Sequence, residues 1–173
     1  MTEMGSEQFF CNTFVRSLRC YRKIALTPFL LLTFPALAAY DLNEVGLGAS
    51  ESDVKSRFPT ANCRALEWES RAADRRCDDS RVRVGGMDAS VTFYLKNDAV
   101  EGFDLRFDAP NVVPMRKLLS ERYGVPVLID KGDVRAEWKA NGERARITAE
   151  HGRRRASLLV WRGAFEAELY KIR

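Results

Sequence analysis

Residues 90–108 read SVTFYLKNDAVEGFDLRFD, with an apolar side chain at every second position on either side of a polar break. Val91, Phe93 and Leu95 share one side of an extended chain, and Phe103, Leu105 and Phe107 share one side of the return. Successive strand residues point to opposite faces, so this period of two predicts an antiparallel hairpin with one buried and one solvated face. Lys96-Asn97-Asp98 supplies the turn. Downstream, in NVVPMRKLLSERYG (residues 111–124), Met115, Leu118, Leu119 and Tyr123 recur at helical spacing, and Gly124 followed by Pro126 supplies a stop. Three alternating runs come next: VRAEWKA (134–140), ERARITAE (143–150) and RASLLVWR (155–162). Asn141-Gly142 between the first two is a strong hairpin signal, and HGRR joins the other two. In the tail, GAFEAELYKIR, Phe165 and Leu169 stand four apart, which suits a last strand or a short helix.

Upstream, DLNEVGLGASESDVKSRFP (41–59) contains a helix with a readable start. Ser50 is the N-cap and Asp53 three residues on makes an acidic capping box. Val54 and Phe58 then share a face, and Pro59 ends the helix. CRALEWES (63–70) alternates weakly, with Leu66 and Trp68 on one side, and SRVRVGG (80–86) alternates Arg with Val up to Gly85-Gly86. The order is helix, strands, helix, strands. CRALEWES and VRAEWKAN also share letters, each downstream of an amphipathic helix, which suggests a duplicated helix-plus-sheet unit. The expected fold class is α+β: an antiparallel sheet of about seven or eight strands, two helices packed on one face, and one disulfide.

The disulfide follows from the compartment. Residues 1–23 are polar and carry Arg16, Arg19, Arg22 and Lys23, and residues 24–39 (IALTPFLLLTFPALAA) carry no charge. Ala36-Leu37-Ala38 gives the small-x-small pattern of a signal-peptidase site, so residues 1–38 read as a secretory signal peptide. A retained anchor is the rival reading, but the run has 16 residues and contains Pro28 and Pro35, and a spanning helix needs about 20. No cysteine sits in a lipobox position. Residues 39–173 are then a single exported domain, periplasmic or secreted, with no stable membrane insertion after cleavage. Four of the 28 basic and two of the 24 acidic residues fall in residues 1–38, leaving a net charge near +2. That small charge argues against nucleic acid as a partner.

Cys11 and Cys20 leave with the signal, so Cys63 and Cys77 are the cysteines of the exported chain. An even count in a small exported domain points to a bridge. CxxC and HxxxH are absent, and the single histidine, His151, is distant in sequence, so neither a redox motif nor a zinc set is present. Closing this loop should stabilise the fold by roughly 3 kcal/mol and hold the Cα atoms about 4.4–6.8 Å apart. The charged stretch ESRAADRR between them has only Ala72 and Ala73 as apolar material, and is expected to be a poorly packed surface excursion.

The phrase GLGASESDVKSRFP, the helix end Arg122-Tyr123-Gly124-Val125-Pro126 and the hairpin VTFYLKNDAVEGFDLRF resemble a repeat of small bacterial envelope proteins. The families are the outer-membrane-assembly lipoproteins of SmpA/OmlA type and the β-lactamase-inhibitory-protein-like secreted domains. The lipoproteins carry a lipidated cysteine after the signal, which this chain lacks, and its first helix ends in Phe58-Pro59 where the repeat has Gly-x-Pro. The resemblance implies a helix-on-sheet binding scaffold and names no partner.

Candidate sites are few. Arg153, Arg154 and Arg155 follow His151-Gly152 at a hairpin tip and could meet phosphate or carboxylate groups; a solvated turn would carry the same charges. His151 as a catalytic base would need a nucleophile and an orienting group, and no G-x-S-x-G motif supplies one. Asp78-Asp79 and Asp104/Asp108 could serve glycoside chemistry or calcium, but Asp104, Arg106 and Asp108 fall on the polar face of their strand, and no EF-hand loop occurs. Trp68, Trp138 and Trp161 could form a stacking platform or pack in the core. The sequence therefore offers no catalytic, cofactor-binding or metal-ligating set. It points to a non-enzymatic binding module of the bacterial cell envelope, engaging an envelope protein or an anionic envelope component. The alternative is a small periplasmic hydrolase built from Asp, Arg and His151.

Overall fold

A computed structural model describes residues 41–67, 69–130 and 134–169. The expected signal peptide and Trp68 lie outside the described residues. The chain opens with a two-stranded ribbon, β1 (Asp41–Leu42) and β2 (Val45–Gly46), and enters α1 (Glu51–Arg57). Four strands follow: β3 (Asn62–Ala65), β4 (Arg75–Val84), β5 (Met87–Lys96) and β6 (Ala99–Asp108). A 3-10 turn leads into α2 (Val112–Tyr123). Then come β7 (Leu128–Asp130), β8 (Val134–Ala140), β9 (Glu143–Ala149), β10 (Arg155–Arg162) and α3 (Phe165–Leu169).

The last eight strands form one antiparallel sheet in the order β3-β4-β5-β6-β10-β9-β8-β7. The expected α+β class is the observed one. Each half is a helix followed by a four-stranded meander, and the two meanders meet where β6 pairs with β10. This arrangement fits a duplicated unit, but the shared letters do not align within it. Cys63–Ala65 belongs to the first strand of its half, and Val134–Ala140 is the second strand of its half.

Local chemistry accounts for the elements. Ser50 Oγ accepts from the Asp53 amide at 3.2 Å while Asp53 Oδ2 accepts from the Ser50 amide at 2.9 Å, the reciprocal bonds of a capping box. Asn97 and Asp98 (φ 50° and 61°) and Asn141 and Gly142 (φ 51° and 80°) give two-residue turns with positive φ at both positions, the turn whose twist matches paired strands. Register places Phe93 opposite Phe103 and Val91 opposite Leu105, and Leu105 in turn opposite Leu158. Both long helices cover this inner face. Val54 and Phe58 descend from the first half and Val112, Met115 and Leu119 from the second, all into one buried cluster. The Phe58, Phe93 and Phe103 rings stack through it at centroid distances of 5.1 and 5.6 Å.

The outer face is divided. At one end Tyr94, Trp161 and Phe165 form a second buried cluster with Ala72 and Ala73. Gly102 makes room for it: a Cβ there would stand 2.7 Å from the Phe165 ring. The Arg146 guanidinium lies 4.9 Å from the centre of the Trp161 ring and ion-pairs with Glu137 and Glu166. The rest of the outer face is open.

The disulfide joins Cys63 and Cys77, directly opposed residues of β3 and β4. Their Cα atoms are 3.9 Å apart, below the expected range, because the bridge ties adjacent strands at one register position rather than spanning separate elements. The intervening loop also differs from expectation. Ala72 and Ala73 are 7% and 0% exposed, so the loop is pinned to the sheet by the two small side chains it has.

Candidate functional site

The open end of the outer face is built around the β9–β10 hairpin tip. Arg154 O accepts from the Ala109 amide at 2.8 Å, fastening the tip to the end of β6, and Arg153 N donates to Glu150 O at 3.2 Å. From this anchored turn Arg153, Arg154 and Arg155 project as exposed side chains. Register then brings in residues from two other strands. Arg106 of β6 stands opposite Ser157 of β10, and Ser157 stands opposite Thr148 of β9. Arg106, Thr148, Ser157, Glu150 and the three tip arginines line an open concavity of about 620 Å³. Arg135 of β8, opposite Thr148, continues the row. At 4.7–4.9 Å per strand the row from Arg106 to Arg135 spans roughly 14 Å.

The charges are unevenly matched. Arg106 Nε donates to Asp104 Oδ2 at 3.1 Å, and Asp104 is 2% exposed, so this guanidinium has a fixed carboxylate beneath it. Arg153 Nε donates to Glu150 Oε2 at 3.2 Å on the surface. Among the described residues, the side chains of Arg154 and Arg155 form neither hydrogen bond nor ion pair. Asp108 stands opposite Arg155 in register without such a bond. The concavity can therefore accept an oxyanion with guanidinium forks above and hydroxyl donors below.

Sequence reading singled out Arg153, Arg154 and Arg155 and missed Arg106, Thr148 and Ser157. The alternation of β6 already put Arg106 on the polar face; what joins it to the tip is the β6–β10 pairing, across 49 or so residues of chain, which no local pattern encodes.

The other candidates separate. Asp78 faces outward and accepts from Thr92 Oγ1 at 2.8 Å, with Arg76 3.0 Å away. Asp79 is buried on the core side, where it accepts from Thr60 Oγ1 at 2.6 Å and the Arg81 amide at 3.0 Å beside a bulge in β4. The adjacent acids thus face opposite ways and share no site. Asp104 is on the outer face as expected but is buried, and serves Arg106. Trp138 lies in the inner core with Nε1 donating to Gly124 O at 2.9 Å, whereas Trp161 lies in the outer cluster, so these two make no common platform. His151 is exposed at the tip. Glu51 brings a carboxylate oxygen within 4.8 Å of the Cys63 and Cys77 sulfurs, but those sulfurs are bonded to each other, and Glu51 is held by Arg75 and Lys55 instead.

Among the described residues no helix is long and apolar enough to cross a membrane. No protein-family model, no curated protein and no solved structure matches this chain.

Proposed function

We propose that this protein is a non-enzymatic, exported binding module of the bacterial cell envelope that engages an anionic envelope component through the open end of its sheet. The leader-like residues 1–38 and the SmpA/OmlA-like and β-lactamase-inhibitory-protein-like motifs support the compartment. One observation carries the binding site: Arg106, Arg153, Arg154 and Arg155 converge on a single concavity whose rim charges Arg154 and Arg155 have no carboxylate partner among the described residues. Clustered guanidiniums repel one another, and an anionic partner relieves that repulsion.

Cosedimentation of the purified protein with Gram-negative envelope fragments tests this reading. Binding should fall as salt rises, because exposed charges are screened. The charge reversal Arg154→Glu/Arg155→Glu should abolish it while leaving thermal unfolding unchanged. Equal cosedimentation of the variant would defeat the reading, and binding that survives high salt would point to an envelope protein as the partner instead.

A further inference from the structure

The donors of the concavity are specific in kind and number. All its cations are arginine, whose planar fork donates two parallel N–H bonds, rather than lysine, a point charge. They come from separate directions: Arg106 from β6, Arg155 from the start of β10, and Arg154 from the tip. The Ser157 and Thr148 hydroxyls lie between them on adjacent strands. A carboxylate has two oxygens in one plane and accepts about four hydrogen bonds. Donors converging from three sides exceed that and suit a tetrahedral group with three terminal oxygens. The charge balance agrees. Five guanidiniums, Arg135 of the same row included, offset by Glu150 at the rim, Asp104 beneath Arg106 and Asp108 opposite Arg155, leave an excess of about two, and a phosphate monoester carries about −1.5 to −2 at neutral pH. A phosphodiester offers two free oxygens and one charge, and fits less well.

We infer that the concavity recognises a phosphate monoester carried on a larger body, which rests on the binding reading above and names its ligand class. Its open shape leaves the rest of that body in solvent. Such a group can come from a phosphorylated sugar or from a lipid headgroup, and the experiment separates the two. Calorimetric titration of the purified protein with inorganic phosphate, glucose 6-phosphate and trigalacturonate covers the soluble arm. Flotation with phosphatidylcholine vesicles containing either phosphatidic acid or phosphatidylglycerol covers the lipid arm.

Monoester ligands should bind at least about tenfold tighter than trigalacturonate or phosphatidylglycerol, since each further hydrogen bond to a charged group adds about that factor. Arg106→Lys and the pair Thr148→Val/Ser157→Ala keep the net charge, and each should weaken monoester binding about tenfold, the hydroxyl pair without shifting thermal unfolding. A diffusely basic surface would not respond to them. Glucose 6-phosphate should compete with phosphatidic acid vesicles for the one concavity, and failure to compete would overturn the assignment of the site; tighter binding of the vesicles assigns the lipid source, and tighter binding of glucose 6-phosphate the soluble one. Equal binding of phosphatidylglycerol or trigalacturonate overturns the monoester assignment while the envelope-binding reading stands. Envelope cosedimentation lost on charge reversal, with neither phosphate nor vesicles bound, would overturn it likewise. No binding to envelope, phosphate or vesicles overturns both.

Discussion

At the scale of single residues, Glu51 concentrates the electrostatics of the first half. It opens α1, its amide donates to Asp98 Oδ1 at 3.1 Å, and its carboxylate accepts from Arg75 Nε at 2.5 Å and Lys55 Nζ at 2.7 Å. The hydrogen bonds from Arg75 and then Lys55 pull its pKa from 4.5 to about 2. A folded-state pKa below the unfolded one means stability that is present in full above pH 4.5 and lost as pH falls through about 2. Arg75 remains 40% exposed, so solvent screening limits the contribution to about 1 kcal/mol. Urea unfolding should therefore show Glu51→Gln about 1 kcal/mol less stable than wild type at pH 6, with the two converging near pH 2. A constant difference across that window would show that the carboxylate charge is not the cause. Phe103 is a different kind of residue, 1% exposed at one end of the ring stack, against Phe93. Phe103→Ala should cost roughly 3–5 kcal/mol in the same assay, transfer and cavity terms together. A loss below about 1 kcal/mol would mean that the ring is not enclosed by α1 and α2.

At the scale of elements, legibility followed locality. The β5–β6 hairpin, α1 with its capping box, α2 and strands β8 to β10 each rest on contacts a few residues apart, and their period and turn chemistry sit in the sequence. The ribbon β1–β2 and the three-residue β7 are too short to show a period. The charged stretch 69–76 departs from the surface excursion expected of it for another reason. Two alanines in a charged run look incidental until Tyr94, Trp161 and Phe165, far along the chain, form the surface that buries them. The basic site was half legible for the same reason: its tip is local, its floor is not. The bridge and the buried alanines now hold that loop by two means. Replacing Cys63 and Cys77 with Ser should lower stability by roughly 2–4 kcal/mol. The Tyr94–Trp161–Phe165 cluster should persist, because its contacts do not pass through sulfur. Near-UV circular dichroism of the double variant reads this directly, and loss of the aromatic signal while the far-UV spectrum stays native would show that the bridge alone seats the loop.

At the scale of the whole molecule, two helix-and-meander halves could in principle fold as separate units, since each has its own helix and four strands. The geometry argues for one cooperative unit. β6 and β10 pair over seven register positions, from Arg155↔Asp108 to Trp161↔Gly102, and side chains of both halves share a single inner cluster. Neither half can close its core alone: without β10, Phe103, Leu105 and Phe107 would lose Val160, Leu158 and Ala156 as cross-strand neighbours, and an isolated four-stranded half would expose a long apolar edge. The outer cluster adds a second tie, since Tyr94 of the first half meets Trp161 and Phe165 of the second. Unfolding should then be a single transition, with fluorescence and circular dichroism coinciding. Amide exchange should be slowest in β5, β6 and β10 and fastest in β3 and β7, the short outermost strands. The seam variant Leu105→Ala should speed exchange in β9 as well as β5, although β9 does not pair with β6. Two separable transitions, or protection in β8 and β9 that ignores the Leu105 change, would show that the halves are independent domains joined only by hydrogen bonds along the seam.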